Sequence, residues 1–301
     1  MSGYLQPHVI GIDLGGTRVK ALAVTAEGVE LARAIAPSDG ADWSEQARTL
    51  ARSFAPRFGP PFAIGVAAPG LAAADGRSIA IMPGRLHGLE GLDWTRFLDA
   101  QREVPVLNDA QSALLGEVWH GAAQGARNAL LVTLGTGVGG AILCDGRLLR
   151  GHIGRAGHIG HITVNASGGP GLVNTPGSLE DAVGNHSLPA RSGGRYSDTA
   201  ALVADVARGD ARAVAIWQTM IRDLSAGLVS LINVVDPAVI ILGGGIAGAG
   251  ELLLQPLREA MDGCEWRPDG HRVDVVLARL GDLAGAYGAA RQAWLAHSPS
   301  P

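Results

Sequence analysis

The sequence predicts an α/β protein built from two similar lobes, and three observations lead there. Residues 8–14, 18–24 and 29–36 are short β-rich runs separated by Gly15-Gly16 and Glu27-Gly28, the spacing of three strands joined by hairpins. A strand–glycine turn–strand then returns: aligning Asp13-Leu14-Gly15-Gly16-Thr17 with Thr133-Leu134-Gly135-Thr136-Gly137 sets the two halves about 120 residues apart. With 301 residues, the chain has room for two cores at roughly 150 residues each.

Each later element follows from the same reading. Apolar residues recur at helical intervals over 42–54, and 62–67 returns to strand, so the opening order is β-β-β-α-β. Residues 104–108 read as a strand with Pro105 at its entry, and 109–120 as a helix whose first residue is a carboxylate. The second half runs through strand 129–134, glycine turn 135–140, strand 141–144, the hairpin signal Asp145-Gly146 and strand 147–149. A long helix over 212–235, strand 238–242, the turn Gly243-Gly244-Gly245, helix 251–261, strand 272–277 and terminal helix 283–295 follow, and 298–301 reads as a frayed tail. The expected division is a first lobe over 1–112, completed by the C-terminal helical stretch 283–297, and a second lobe over 113–282.

Composition narrows the function. Hydrophobic residues make up 47% and charged residues 17%, with a formal net charge of −4 and a pI near 6.1, which argues against a nucleic-acid partner and for a small molecule. Glycine, at 44 residues, shows no three-residue period and is interleaved with Val, Ile, Leu and Ala, so it reads as turns and close-approach loops rather than collagen or low complexity. The two cysteines, Cys144 and Cys264, make neither a disulfide framework nor a C-x-x-C pair, and a reducing cytoplasm is expected. Met1–Pro7 lacks a basic or apolar leader, and the weakly charged stretch 128–144 is broken by Gly135, Gly137, Gly139 and Gly140, so neither export nor a membrane span is expected.

The chemistry concentrates in four places. Asp13, Gly15, Gly16 and Thr17 form the first phosphate-loop candidate, with Arg18 and Lys20 in the strand that follows; paired glycines let backbone N–H groups line a concavity for phosphate oxygens. Asp13 beside an anion makes sense if a cation is shared between them, so it is the candidate to hold Mg²⁺ through water. The second candidate is Gly135, Thr136 and Gly137, neither a Walker A loop nor a Rossmann fingerprint, because a strand follows it. Two matched loops could clamp one nucleotide's phosphates, and Gly243, Gly244 and Gly245 could admit a flat adenosine. Each loop also reads as a tight turn without a ligand.

Asn108-Asp109, at a strand's end and a helix's start, is the third place. Asp109 is either an ordinary N-cap or the general base for a hydroxyl nucleophile. The fourth is the segment from Gly151 to His161, in which His152, His158 and His161 invite a metal reading; with no Cys, Asp or Glu inside it, a loop presenting imidazoles to a polar substrate fits better, helped by Glu180 downstream.

Taken together these residues resemble a known family. Asp13-x-Gly15-Gly16-Thr17, Ala68-Pro69-Gly70, Asn108-Asp109-Ala110 with Gly116-Glu117, Leu134 to Gly140, Gly154-x-Ala156-Gly157-x-Ile159-Gly160-His161, Leu179-Glu180 and Gly243-Gly244-Gly245 look, in order, like the ROK family of sugar kinases and repressors. The resemblance runs from about Val9 to Ala293. It implies the actin/hexokinase-like fold, two ribonuclease H-like lobes closing on ATP-Mg²⁺ and a sugar, with Asp109 deprotonating the attacking hydroxyl. Gly70, Asn108, Asp109, His161 and Glu180 would contact the sugar, and a homodimer is favoured.

Two departures bear on specificity. The family usually carries three zinc-binding cysteines, matched here by the cysteine-free stretch 166–177, so no structural zinc is expected. The glutamate that family members place three residues before the histidine matching His161 is His158 here; neutral imidazole offers one donor and one acceptor where a carboxylate accepts from two hydroxyls, so the hydroxyl pattern read by the site must change. The expected activity is ATP- and Mg²⁺-dependent phosphorylation of a monosaccharide or sugar-like polyol. Alternatives are a polyphosphate donor, suggested by Lys20, a cyclitol acceptor, or a non-catalytic sugar-binding regulator; a DNA-binding repressor has no helix-turn-helix before the first strand.

Overall fold

The protein is described from a computed structural model, which covers residues 7–38, 42–82 and 86–298. The expectations placed on residues 1–6 and 299–301 lie outside the described residues. The chain forms two compact units: the first takes the chain up to Gly125, Arg150–Ala156 and everything from Arg279, and the second takes Ala126–Leu149 and Gly157–Ala278.

In the first unit, β1 (His8–Leu14), β2 (Arg18–Thr25) and β3 (Glu30–Pro37) form an antiparallel meander, followed by helices α1 (Trp43–Ser53) and α2 (Ala55–Phe58) and by β4 (Ala63–Ala68). A small ribbon, β5 (Leu71–Ala72) and β6 (Ile79–Ile81), and the short α3 (Trp94–Phe97) lead to β7 (Val106–Asn108) and α4 (Asp109–His120). The sheet order is β3-β2-β1-β4-β7, with β4 and β7 parallel to β1. Every residue of β1 is buried because it sits centrally, with helices on the sheet.

The C-terminal helix, Ala284–His297, packs on β1, β4 and α4 at backbone-to-backbone distance. A Cβ added at Gly288 would stand 1.6 Å from the Ser112 carbonyl oxygen, and one at Gly11 would stand 1.8 Å from that of Ala286. This small-residue seam keeps all of α4 in the first unit. The expected boundary at 112/113 therefore falls inside a helix, and the chain crosses to the second unit after Gly125.

The second unit repeats the plan. Strands β8 (Ala129–Leu134), β9 (Val138–Cys144) and β10 (Arg147–Leu148) are antiparallel; helices α5 (Leu179–Val183), α6 (Leu188–Arg191), α7 (Thr199–Ala207) and α8 (Ala211–Val235) precede β11 (Val239–Gly243), α9 (Glu251–Asp262) and β12 (Asp274–Leu277). The sheet order β10-β9-β8-β11-β12 matches that of the first unit strand for strand, with β11 and β12 parallel to β8. Asp210 caps α8 by accepting from the Ala213 N–H at 2.8 Å. Trp217 on α8 is core, its indole N–H bonded to the Leu252 carbonyl at 2.9 Å, whereas Trp266 is 72% exposed.

A turn boundary changes as well. The glycine turn read over 135–140 is only 135–137, since Val138, Gly139 and Gly140 pair with Leu134, Thr133 and Val132 inside β9. Gly140 is there to admit packing rather than to break the strand: a Cβ on it would lie 2.5 Å from the Ile159 side chain. Among the described residues, no helix is long and apolar enough to cross a membrane.

Candidate active site

The residues singled out by sequence fall into two groups, one in each unit. In the first, Asp13 and Lys20 face each other across the β1–β2 hairpin, in direct register, and their side chains meet at 3.6 Å. Only 12% of the Asp13 side chain is exposed. Its carboxyl is pushed up to about 6, chiefly by burial, which the Lys20 ammonium opposes and the charges of Asp109 and Asp282 reinforce. Asp13 and Asp109 thus lie in one electrostatic neighbourhood at the carboxyl ends of β1 and β7, the edge where open α/β sheets bind ligands.

The hairpin itself is held from behind. Gly15 N–H donates to the Arg18 carbonyl at 2.9 Å; the Ser38 hydroxyl donates to the Gly15 carbonyl at 2.7 Å and its N–H to that of Thr17 at 3.0 Å. Those carbonyls are occupied, while Gly16, Thr17 and Arg18 are exposed at the tip. Arg18 pairs with Asp282 at 2.7 Å. A Cβ at Gly285, on the C-terminal helix, would lie 2.7 Å from the Asp13 carboxyl carbon. Sequence reading missed Ser38, Asp282 and Gly285: a separation of 264 residues between Arg18 and Asp282 leaves no local signal.

Asn108, rather than Asp109, caps the helix. Its Oδ1 accepts from the Ala110 and Gln111 N–H groups at 3.0 and 3.3 Å, so Asn108 is the N-cap of α4 and Asp109 is its first helical residue. The Asn108 amide donates to the Gly70 carbonyl at 2.9 Å. Gly70 has φ +100°, and a Cβ there would meet the Ile81 carbonyl oxygen at 2.5 Å, so only glycine fits the turn that presents this acceptor. Asp109 is exposed, with one oxygen accepting from the Ala110 N–H at 2.8 Å.

In the second unit, Gly135-Thr136-Gly137 closes the β8–β9 hairpin, and Gly135 N–H donates to the Gly137 carbonyl at 2.9 Å. Glu180 lies directly beneath: its Oε2 accepts from the Val138 N–H at 2.8 Å, and a Cβ at Gly137 would stand 2.2 Å from that oxygen. From the far side, the Asn185 and His186 N–H groups donate to the Gly135 and Thr136 carbonyls at 2.9 and 3.0 Å. The His186 ring adds contacts of 3.0 Å to the Thr136 carbonyl and 3.0 Å to Asp181 Oδ1. Neither His186 nor Asp181 carries a sequence signature, and both escaped notice there.

His158 immediately precedes, and His161 ends, a single 3-10 turn, Ile159–His161, with ring centroids 6.4 Å apart and planes 22° from parallel. His161 also acts electrostatically on Asp181. The third histidine of the motif, His152, belongs to the first unit. Among the described residues, no group of three or more His, Cys, Asp or Glu side chains is placed to hold a metal ion. Gly244, at φ +84°, packs so closely on β8 that a Cβ would lie 2.3 Å from the Leu134 carbonyl oxygen, whereas Gly245 has open space around it and Gly243 has no neighbour nearer than 3.5 Å.

A model of the ROK family matches residues 9–298. A glucokinase from Halalkalibacterium halodurans is 30% identical, over 93% of this chain and 92% of that one. Among solved structures, a ROK hexokinase from Thermus thermophilus superposes with a TM-score of 0.82 at 32% identity, over 96% of this chain and 98% of that chain. A ROK family glucokinase from Streptomyces griseus, in complex with glucose and AMPPNP, gives 0.76 at 27% identity, over 96% and 99%. The duplicated sheet order and these neighbours make the fold actin/hexokinase-like. With the glycine hairpins, the capped Asn108-Asp109 pair and a match over almost its whole length, this chain belongs to the ROK family.

Proposed function

We propose that the protein transfers the γ-phosphoryl group of ATP, with Mg²⁺, to a hydroxyl of a monosaccharide or sugar-like polyol, with Asp109 as the general base. The chain is a carbohydrate kinase of the ROK family; the donor, the ion, the base and the acceptor are the substance of the proposal. The observation that carries it is the division of labour at the start of α4. Asn108 satisfies the helix end, which leaves the Asp109 carboxylate exposed at the strand's carboxyl end, in the field of Asp13.

In the proposed step, Asp109 takes the proton of the acceptor hydroxyl, the oxygen forms the new P–O bond, and the bond from the γ-phosphorus to the bridging oxygen breaks as ADP leaves. Phosphoryl transfer needs alignment and charge neutralisation more than covalent chemistry. Backbone N–H groups of Gly16 and Thr17 and of Thr136 and Gly137 are assigned to phosphate oxygens, those of Gly15 and Gly135 closing the two turns, with Lys20 as a fixed cation, and Gly243–Gly245 to the adenosine. Asn108, His158, His161 and Glu180, with Gly70 behind Asn108, are assigned to the acceptor. The fit of Mg²⁺ rests on Asp13, a hard oxygen donor whose charged form is penalised by burial and by two other carboxylates beyond what Lys20 offsets, so a further cation would be favourable there. When bound, the ion would draw charge from the phosphates.

The test is turnover of the purified chain with a panel of sugars and cyclitols, ATP and inorganic polyphosphate being compared as donors. Phosphorylation of one acceptor with ATP is expected. Folded protein that binds a sugar tightly but transfers nothing from either donor supports the regulator instead. We further propose a homodimer, which light scattering on the same preparation reads directly.

A further inference from the structure

The His186 ring has acceptors on both sides. Its Nδ1 faces the Thr136 carbonyl and its Nε2 faces Asp181 Oδ1, each at 3.0 Å. Neutral imidazole carries one N–H and can satisfy only one of them; imidazolium satisfies both. Asp181 is suited to be the counter-charge: burial pushes its carboxyl up, but hydrogen bonds from Ser178 and His186 and the charges of His186 and His161 outweigh this and hold it below its ordinary value. The approach depends on Gly184, where a Cβ would lie 2.9 Å from both His186 Nδ1 and the Thr136 carbonyl oxygen.

We propose that His186 is a positioning residue for the nucleotide: its ring, in contact with the Thr136 carbonyl on one side and Asp181 on the other, clamps the Gly135–Gly137 turn behind the phosphate-binding amides. The proposal rests on reading that turn as a phosphate loop. The groups around the ring are Asp181 on α5, Glu180 beneath the turn at Val138, His161 acting through Asp181, and Arg191 on α6. The Arg191 guanidinium donates to Ser187 Oγ at 3.0 Å and to the Gly184 carbonyl at 2.8 Å. Removing the ring takes both of its contacts away at once, and the turn loses its brace on that side.

The test compares the nucleotide KM and kcat of the full chain with those of two variants. His186→Ala removes both contacts and should raise the nucleotide KM about fivefold while kcat changes little at saturating nucleotide. His186→Arg, with a fork for both acceptors, should restore a low KM. A nucleotide KM unchanged in His186→Ala, or raised equally in both variants, overturns the role of His186. Wild-type protein with no nucleotide affinity at any pH overturns the phosphate-loop reading first, and the role of His186 in nucleotide binding with it.

Discussion

Asp13 offers the sharpest physical test of the first hairpin. Its carboxyl is raised from 3.8 to about 6 by burial and by the neighbouring carboxylates of Asp109 and Asp282, against the pull of Lys20. A raised value means that the folded state holds the proton more tightly than the unfolded chain. The resulting stabilisation is fully present below 3.8 and is lost as pH rises through about 6. About two pH units correspond to about 3 kcal/mol, roughly half of it lost between about pH 5 and about pH 8. Asp13→Asn removes the titration. It also leaves Lys20 without its partner, but lysine stays charged throughout, so that cost is constant and cancels between pH values. Urea unfolding of both proteins at about pH 3.5, 5 and 8 should show the wild type losing about 3 kcal/mol more than the variant across the series. Parallel curves would mean that Asp13 is already charged without penalty, and the argument for a cation there would fall.

Further outcomes follow from the same geometry. Asp109→Asn should lower kcat by about 10²-fold or more while calorimetry shows sugar affinity largely intact; an undiminished rate would remove Asp109 as base. Gly137→Ala pushes a methyl group into the oxygen of Glu180 that receives the Val138 N–H, so the hairpin must shift, with the KM values for nucleotide and acceptor rising together; steady-state kinetics with both substrates varied will show whether they do. Gly288→Ala meets the Ser112 carbonyl, a backbone group that cannot step aside, and should cost about 3 kcal/mol or more in denaturant unfolding; a loss under about 1 kcal/mol would deny the close seam between the C-terminal helix and α4. His158→Glu should change which sugars in the panel are phosphorylated, seen as a reordering of kcat/KM, if His158 reads acceptor hydroxyls.

What could be read from the chain without coordinates was whatever local physics encodes. Strand β1 and helix α4 appear at the expected residues because β-branched alternation and a polar cap are short-range signals. The duplication was visible because each half carries its own strand–glycine turn–strand. Asp13 and Lys20 were each legible as loop residues, but that they face each other appears only with the strand register. Long-range contact was not legible. That Gly140 continues a strand to admit Ile159, that Asp282 and Gly285 return to crowd Asp13, and that His186 braces the second glycine turn all depend on chain segments far apart in sequence. Such contacts leave no periodicity or spacing, because the free energy that selects them comes from closing distant loops onto a shared core, and only folding brings the partners into range.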